Sequence, residues 1–336
     1  MNKETLLSEL DKLFIDDIAE KIVEKVIFTP KTKEELQIGV NEWCENKEEA
    51  EKIYGNINTW DTSLITDMSD LFKYCYNFND DISNWDVSNV KDTSYMFNGA
   101  ISFNQPIGNW NVSNVKDMSG MFYATPFNVP INNRNVENMG MFYYNYSFNQ
   151  PLNDWNVSNV CSMCNIFDGA KSFNQPLNEW DVSNVKYMNC MFNGAKSFNQ
   201  PLNNWDVSKV KNMYNIFCGA ETFNQPLNNW DVSNVYSMCS IFDGAKSFNQ
   251  PLNDWNVSNV EDMISMFYGA ESFNQDIGNW YVSNVKSMSK MFNNAKSFNQ
   301  DIGNWDISNV KSMSKMFIES GINEKPEWYL HNDGDD

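Results

Sequence analysis

The chain has one histidine in 336 residues, His331, in the acidic final stretch HNDGDD. A Ser-His-Asp or Cys-His arrangement needs a firmly held imidazole base, so that chemistry has nothing to draw on. No HExxH, Gly-rich phosphate loop or EF-hand pattern occurs, and neither an enzyme activity nor a cofactor is expected. Positive charge is also scarce: 24 Lys and Arg stand against 44 Asp and Glu, giving a net charge of -20. A phosphate backbone is bound by clustered cations, so a nucleic-acid partner is excluded and a basic protein partner suits the chain better. The surplus carboxylates equally suit a long repeat protein that stays soluble and monomeric. Mean hydropathy is -0.54 and no long apolar run occurs, so no membrane span is expected. The N-terminal MNKETLLSELDKLF lacks both a basic stretch followed by an apolar one and a lipid-attachment cysteine. An intracellular or virion-associated place is therefore expected rather than an exported surface. Seven scattered cysteines, an odd number, do not make a disulfide framework and suit a reducing compartment.

Aromatic residues and asparagine are abundant, and they are periodic. Trp60, Trp85 and Trp110 are 25 residues apart, as are Trp155, Trp180, Trp205, Trp230, Trp255, Trp280 and Trp305; Arg134 fills the missing slot. These are eleven repeats, and a repeat whose apolar face cannot be buried alone stacks on its neighbours. The ten tryptophans are therefore expected in the core. In the repeat from Phe223 to Ser247, Leu227, Trp230 and Val232 predict a short strand. Val235, Met238, Phe242 and Ala245 predict an amphipathic helix, with Ser233 as its N-cap and Gly244 at its end. The expected fold class is an α/β solenoid, one short strand and one short helix per coil, about 50 Å long at strand spacing. The spacing of 45 between Trp110 and Trp155 predicts a kink around Arg134.

The ends differ from the middle. Leu6, Leu10, Leu13, Phe14, Ile18, Ile22 and Val26 form one stripe, predicting an amphipathic helix within residues 1–30. Thr32 with Glu35 and Asn46 with Glu49 read as capping boxes of a helical cap at 31–56, with Gly55 ending it. The repeats occupy 57–318. In 319–336, Trp328, Tyr329 and Leu330 are expected to close the last coil before the acidic tail.

The segment TKEELQIGVNEWCENKEEAEKIYGNINTWDTSLITDMSDLF and the recurring WDVSNV, MFNGA and SFNQ blocks resemble BspA-like leucine-rich-repeat surface proteins over residues 30–318. The resemblance implies an open right-handed solenoid, with Leu152, Trp155 and Val157 in strand positions and Val160, Met163, Phe167, Ala170 and Phe173 on the convex side. It implies a binding role, described for that family as surface attachment or host interaction, and no catalysis.

With Trp and Val inward, the residues between them point out, and that face is the binding candidate. Its middle column reads Asp61, Asp86, Asn111, Asn135, Asn156, Asp181, Asp206, Asp231, Asn256, Tyr281, Asp306. Asp181, Asp206 and Asp231 are the strongest candidates, with Glu179, Asn204, Asn229 and Tyr281 beside them and no compensating Lys or Arg. Cys161 and Cys164 form a CxxC with Cys190 in the next coil, a set of thiolates of the kind metal sites use, but small buried hydrophobes explain the cysteines without metal. The asparagines at 174, 199, 224 and 249 are expected to bond turn backbone and one another. The sequons at Asn111, Asn145, Asn156 and Asn256 are repeat variants. The function expected is a non-catalytic protein-interaction scaffold with an acidic, Asn-rich strand face. The alternatives are a self-assembling or surface or virion attachment component, or an adaptor whose N-terminal helix, faintly F-box-like, recruits a second protein.

Overall fold

A computed structural model describes residues 27–131 and 140–330. The expected stripe from Leu6 to Val26, Arg134 with Asn135, and His331 lie outside the described residues.

Three α-helices occur among them, and none lies in the repeats: α1 spans Lys33–Glu45, α2 Lys47–Tyr54 and α3 Glu327–Leu330; one short 3-10 turn, Ile57–Thr59, leads into the first coil. The Thr32 hydroxyl caps α1 by accepting the Glu35 N–H at 3.3 Å, and Glu35 reaches back to the Lys31 N–H. Asn46 ends α1 with its own N–H on the Glu42 carbonyl and opens α2 by accepting the Glu49 N–H. Gly55, at φ 71°, ends α2.

The expectation of a strand and a helix in every coil is wrong. The repeats are built from turns, and among the described residues no strand forms; the strand-like pairing between neighbouring coils is limited to isolated parallel bridges, such as Asn212 to Ser237 and Ser237 to Asp262. Those bridges lie within the stretch expected to be helical. Where a strand was expected, the Trp230 N–H closes a turn onto the Leu227 carbonyl, and the Val235 N–H closes the next onto Val232.

Across the expected helix two hydrogen-bond sets alternate. The Ile241, Ala245 and Phe248 N–H groups close turns onto Met238, Phe242 and Ala245, while those of Met238, Ser240, Phe242 and Gly244 reach the carbonyls of Asp262, Ile264, Met266 and Tyr268 in the next coil. The third residues of the first two turns, Ser240 and Gly244, have φ of 53° and 68°, as a type II turn requires. A β-turn brings residues i and i+3 within 7 Å, so a chain of turns gives apolar spacings of three and four just as a helix does. That shared period is the physical reason the sequence pattern misleads. Gly244 does adopt a left-handed conformation, but for a turn rather than a helix end.

Side chains turned inward form continuous columns. Phe242 lies 5.8 Å from Phe217, 5.6 Å from Phe267 and 3.9 Å from Phe248 between ring centroids, with near-parallel planes. The ten repeat tryptophans are each 2–5% exposed. The Trp230 indole N–H donates to the Leu202 carbonyl of the preceding coil at 2.9 Å, and the same bond recurs along the stack. A second ladder runs through asparagine: the Asn199, Asn224 and Asn249 N–H groups donate at 2.9 Å to the side-chain oxygens of Asn174, Asn199 and Asn224. The short coil between Trp110 and Trp155 leaves both columns continuous on its described flanks, with Phe122 to Phe142 at 5.9 Å and the Asn149 N–H on Asn128 at 2.9 Å.

Both ends are covered. Phe28, Trp43 and Tyr54 pack edge-on or tilted against Trp60, closing the first coil. Trp328 stacks on Trp305 at 6.4 Å and Tyr329 is buried, whereas Leu330, expected to help, is exposed. No helix among the described residues is long and apolar enough to cross a membrane.

Candidate binding face

The WDVSNV block fixes the geometry of the outward column. Between the turns closed by Trp230 and Val235, Asp231 is thrown outward while its Oδ1 accepts the Ser233 N–H at 3.0 Å. Asp181 and Asp206 do the same for Ser183 and Ser208 at 3.1 and 3.0 Å. This side chain-to-backbone turn suits Asp and Asn alike, and Asn156 and Asn256 hold Ser158 and Ser258 at 3.1 and 3.2 Å. The column therefore tolerates both residues without a change of backbone. Asn234 follows, its Nδ2 bonding the Ser208 carbonyl of the preceding coil.

Asp181, Asp206 and Asp231 are exposed, one per coil. The serine hydroxyl and N–H beside each hold the Asp181 and Asp206 carboxyls below the usual carboxylate range. Asp181 also senses Asp206, and Lys209 acts on both carboxylates, its Nζ bonded to the Asn184 Oδ1. The expected absence of a compensating cation is thus corrected: Lys209 replaces the asparagine of VSN in that coil.

Glu179, Asn204, Asn229 and Tyr281 are exposed, Tyr281 by 63%. Glu179 is engaged by Asn178, and the backbone N–H groups of Glu179 and Asn229 donate to Asn153 and Asn203 of preceding coils. The face lies on turns rather than on a strand, which corrects its expected setting.

Sequence reasoning missed two features on the MFNGA side of the coil. Asp168 is 5% exposed, and burial pushes its carboxyl up to about 6 although Asn193 donates to it at 3.0 Å. Burial raises Asp243 in the same column to about 6. The signal was present: that column holds Asn at 98, 193 and 293, so Asp there places a charge where other coils place an amide. The second feature is a group of partly exposed tyrosines in the first coils, Tyr74, Tyr76, Tyr95, Tyr144 and Tyr146, 37–55% exposed. Lys73 lies over Tyr74 and Tyr95, and Lys171 over Tyr146 at 4.2 Å.

The cysteines are less buried than expected, although Cys44 and Cys75 do pack against the hydrophobic core. Cys161 is exposed and the other six are half-buried; Cys164 bonds the Asn189 side chain. Among the described residues no group of three or more metal-ligating side chains is assembled. Of the sequons, Asn145 is fully buried, its Nδ2 on the Phe127 carbonyl.

No curated protein and no solved structure matches the chain. One family does, through three tandem matches at residues 44–139, 131–228 and 213–328, which together span the repeats. On that coverage the chain belongs to the family described as Mycoplasma protein of unknown function, DUF285.

Proposed function

We propose that the chain is a non-catalytic interaction scaffold whose turn face presents an acidic ladder to a basic protein segment. One observation carries the reading: Asp181, Asp206 and Asp231 each commit one carboxylate oxygen to a serine N–H and stand exposed in consecutive coils. Carboxylates in register repel one another, and asparagine serves the same turn at Asn156 and Asn256, so the turn does not require the charge. A stack that repeats one exposed group many times suits an extended, multi-point partner. The likeness of the WDVSNV, MFNGA and SFNQ blocks to BspA-like leucine-rich-repeat surface proteins supports the same reading, attachment through repeats.

The test uses a lysine-rich peptide as probe, with wild type and a triple variant, Asp181→Asn, Asp206→Asn and Asp231→Asn. The variant retains the turns. Across about 50 to 300 mM salt the wild type is expected to bind more tightly at the low end and the variant to lose both affinity and salt slope. Equal affinities and slopes would place the contact elsewhere. The exposed tyrosines of the first coils are the second reading, since aromatic side chains anchor interfaces.

A further inference from the structure

The helical cap and the first coil each bring one cysteine to the same place. Cys44, in the last turn of α1, and Cys75, in the first coil, line one open cavity of about 300 Å³ together with Asn41, Glu45, Tyr74 and Phe78. Both are free and half-buried, and both pack against the hydrophobic core. Position 75 belongs to an inward column that is alanine at 100, 170, 195, 220, 245, 270 and 295, so the one coil that meets α1 replaces alanine with a thiol at the cavity that the helix thiol also lines.

We propose that Cys44 and Cys75 are a modification site, a dithiol that a low-molecular-weight disulfide oxidises to a bond clamping α1 onto the first coil. The two thiols are polarised unequally. Their mutual influence favours the Cys75 thiolate and, with burial and the charges of Asp80 and Glu45, holds the Cys44 proton in place. Cys75 is therefore the attacking sulfur. Its thiolate displaces one thiolate from the incoming disulfide and forms a mixed disulfide. Cys44 then gives up its proton, and its sulfur attacks Cys75 and expels the second thiolate. Two protein thiols are oxidised to one disulfide and the small disulfide is reduced to two thiols, which take up the two protons. The cavity gives the small molecule access, and excess dithiol reverses the exchange.

The experiment treats the full native chain with oxidised glutathione and digests it without reduction. The expected product is a single peptide pair joined through Cys44 and Cys75. Cys44→Ser is expected to stop with glutathione on Cys75, and Cys75→Ser to leave Cys44 as a thiol. Amide exchange in Lys33–Glu45 is expected to slow on oxidation and to recover with dithiothreitol. Exposed Cys161 is the internal control for reagent activity. Glutathione on Cys161 with no Cys44–Cys75 pair overturns the proposal, as does equal glutathionylation of Cys44 in Cys75→Ser. A bridge that leaves exchange in α1 unchanged overturns the clamp.

Discussion

Trp205→Ala removes an indole from the middle of the stack, and its environment sets the size of the effect. The ring is 3% exposed and lies 6.4 Å from Trp180 and 6.5 Å from Trp230, within 3° of parallel to each. It also packs on Phe192, and its N–H donates to the buried carbonyl of Leu177 at 3.0 Å. Removing a buried tryptophan costs about 3–5 kcal/mol in lost transfer energy and residual cavity. The upper half applies here, because three aromatic contacts are lost and the Leu177 carbonyl loses one of its two donors, keeping only the Trp180 N–H. The gap cannot close by collapse while coils on both sides are held by their own ladders. Trp205→Phe separates the contributions: it keeps a ring in the column and loses the N–H, for about 1–2 kcal/mol. Urea unfolding followed by circular dichroism measures both variants, and acrylamide quenching of the folded wild type should be weak. A loss below about 1 kcal/mol for the alanine variant, or strong quenching of most of the fluorescence, would refute a tryptophan core.

Asn199→Ala removes the side-chain oxygen that accepts the Asn224 N–H and the Gln225 amide, so about 1–3 kcal/mol should be lost in the same assay; a neutral result would make the ladder incidental. Asp168 and Asp243 hold protons more tightly when folded, with carboxyls at about 6, above the unfolded value, so their contribution is favourable when protonated and lost as pH rises through 6. Asp181 and Asp206 run the other way, contributing above the unfolded value and losing that contribution as pH falls through their lowered one. Melting from pH 4 to 7 should therefore show wild type declining toward neutrality and the Asp168→Asn, Asp243→Asn variant flatter; parallel curves would refute the burial argument.

The period of 25, the tryptophan columns and the asparagine ladder were legible because each needs only one residue type recurring at one spacing. Thr32, Asn46 and Gly55 were legible as cap boundaries because capping is local. The inner architecture of the coil was not, since the spacing of Val235, Met238, Phe242 and Ala245 fits turns and helix equally and depends on φ at Ser240, a residue without turn signature. The outward side of Asp181, Asp206 and Asp231 followed from their buried neighbours. The burial of Asp168 and the meeting of Cys44 with Cys75 depend on contacts between coils and between cap and coil, to which no single repeat points.

Backbone φ and hydrogen bonds at Asn215, Gly219, Ser240 and Gly244 decide between stacked turns and a helix in each coil, and residue-resolved NMR reads both. The account predicts couplings and carbon shifts of left-handed φ at all four, with the Ser240 N–H bonded to Ile264 of the next coil. Uninterrupted helical shifts from Val235 to Ala245, with hydrogen bonds from each N–H to the carbonyl four residues back, would contradict it.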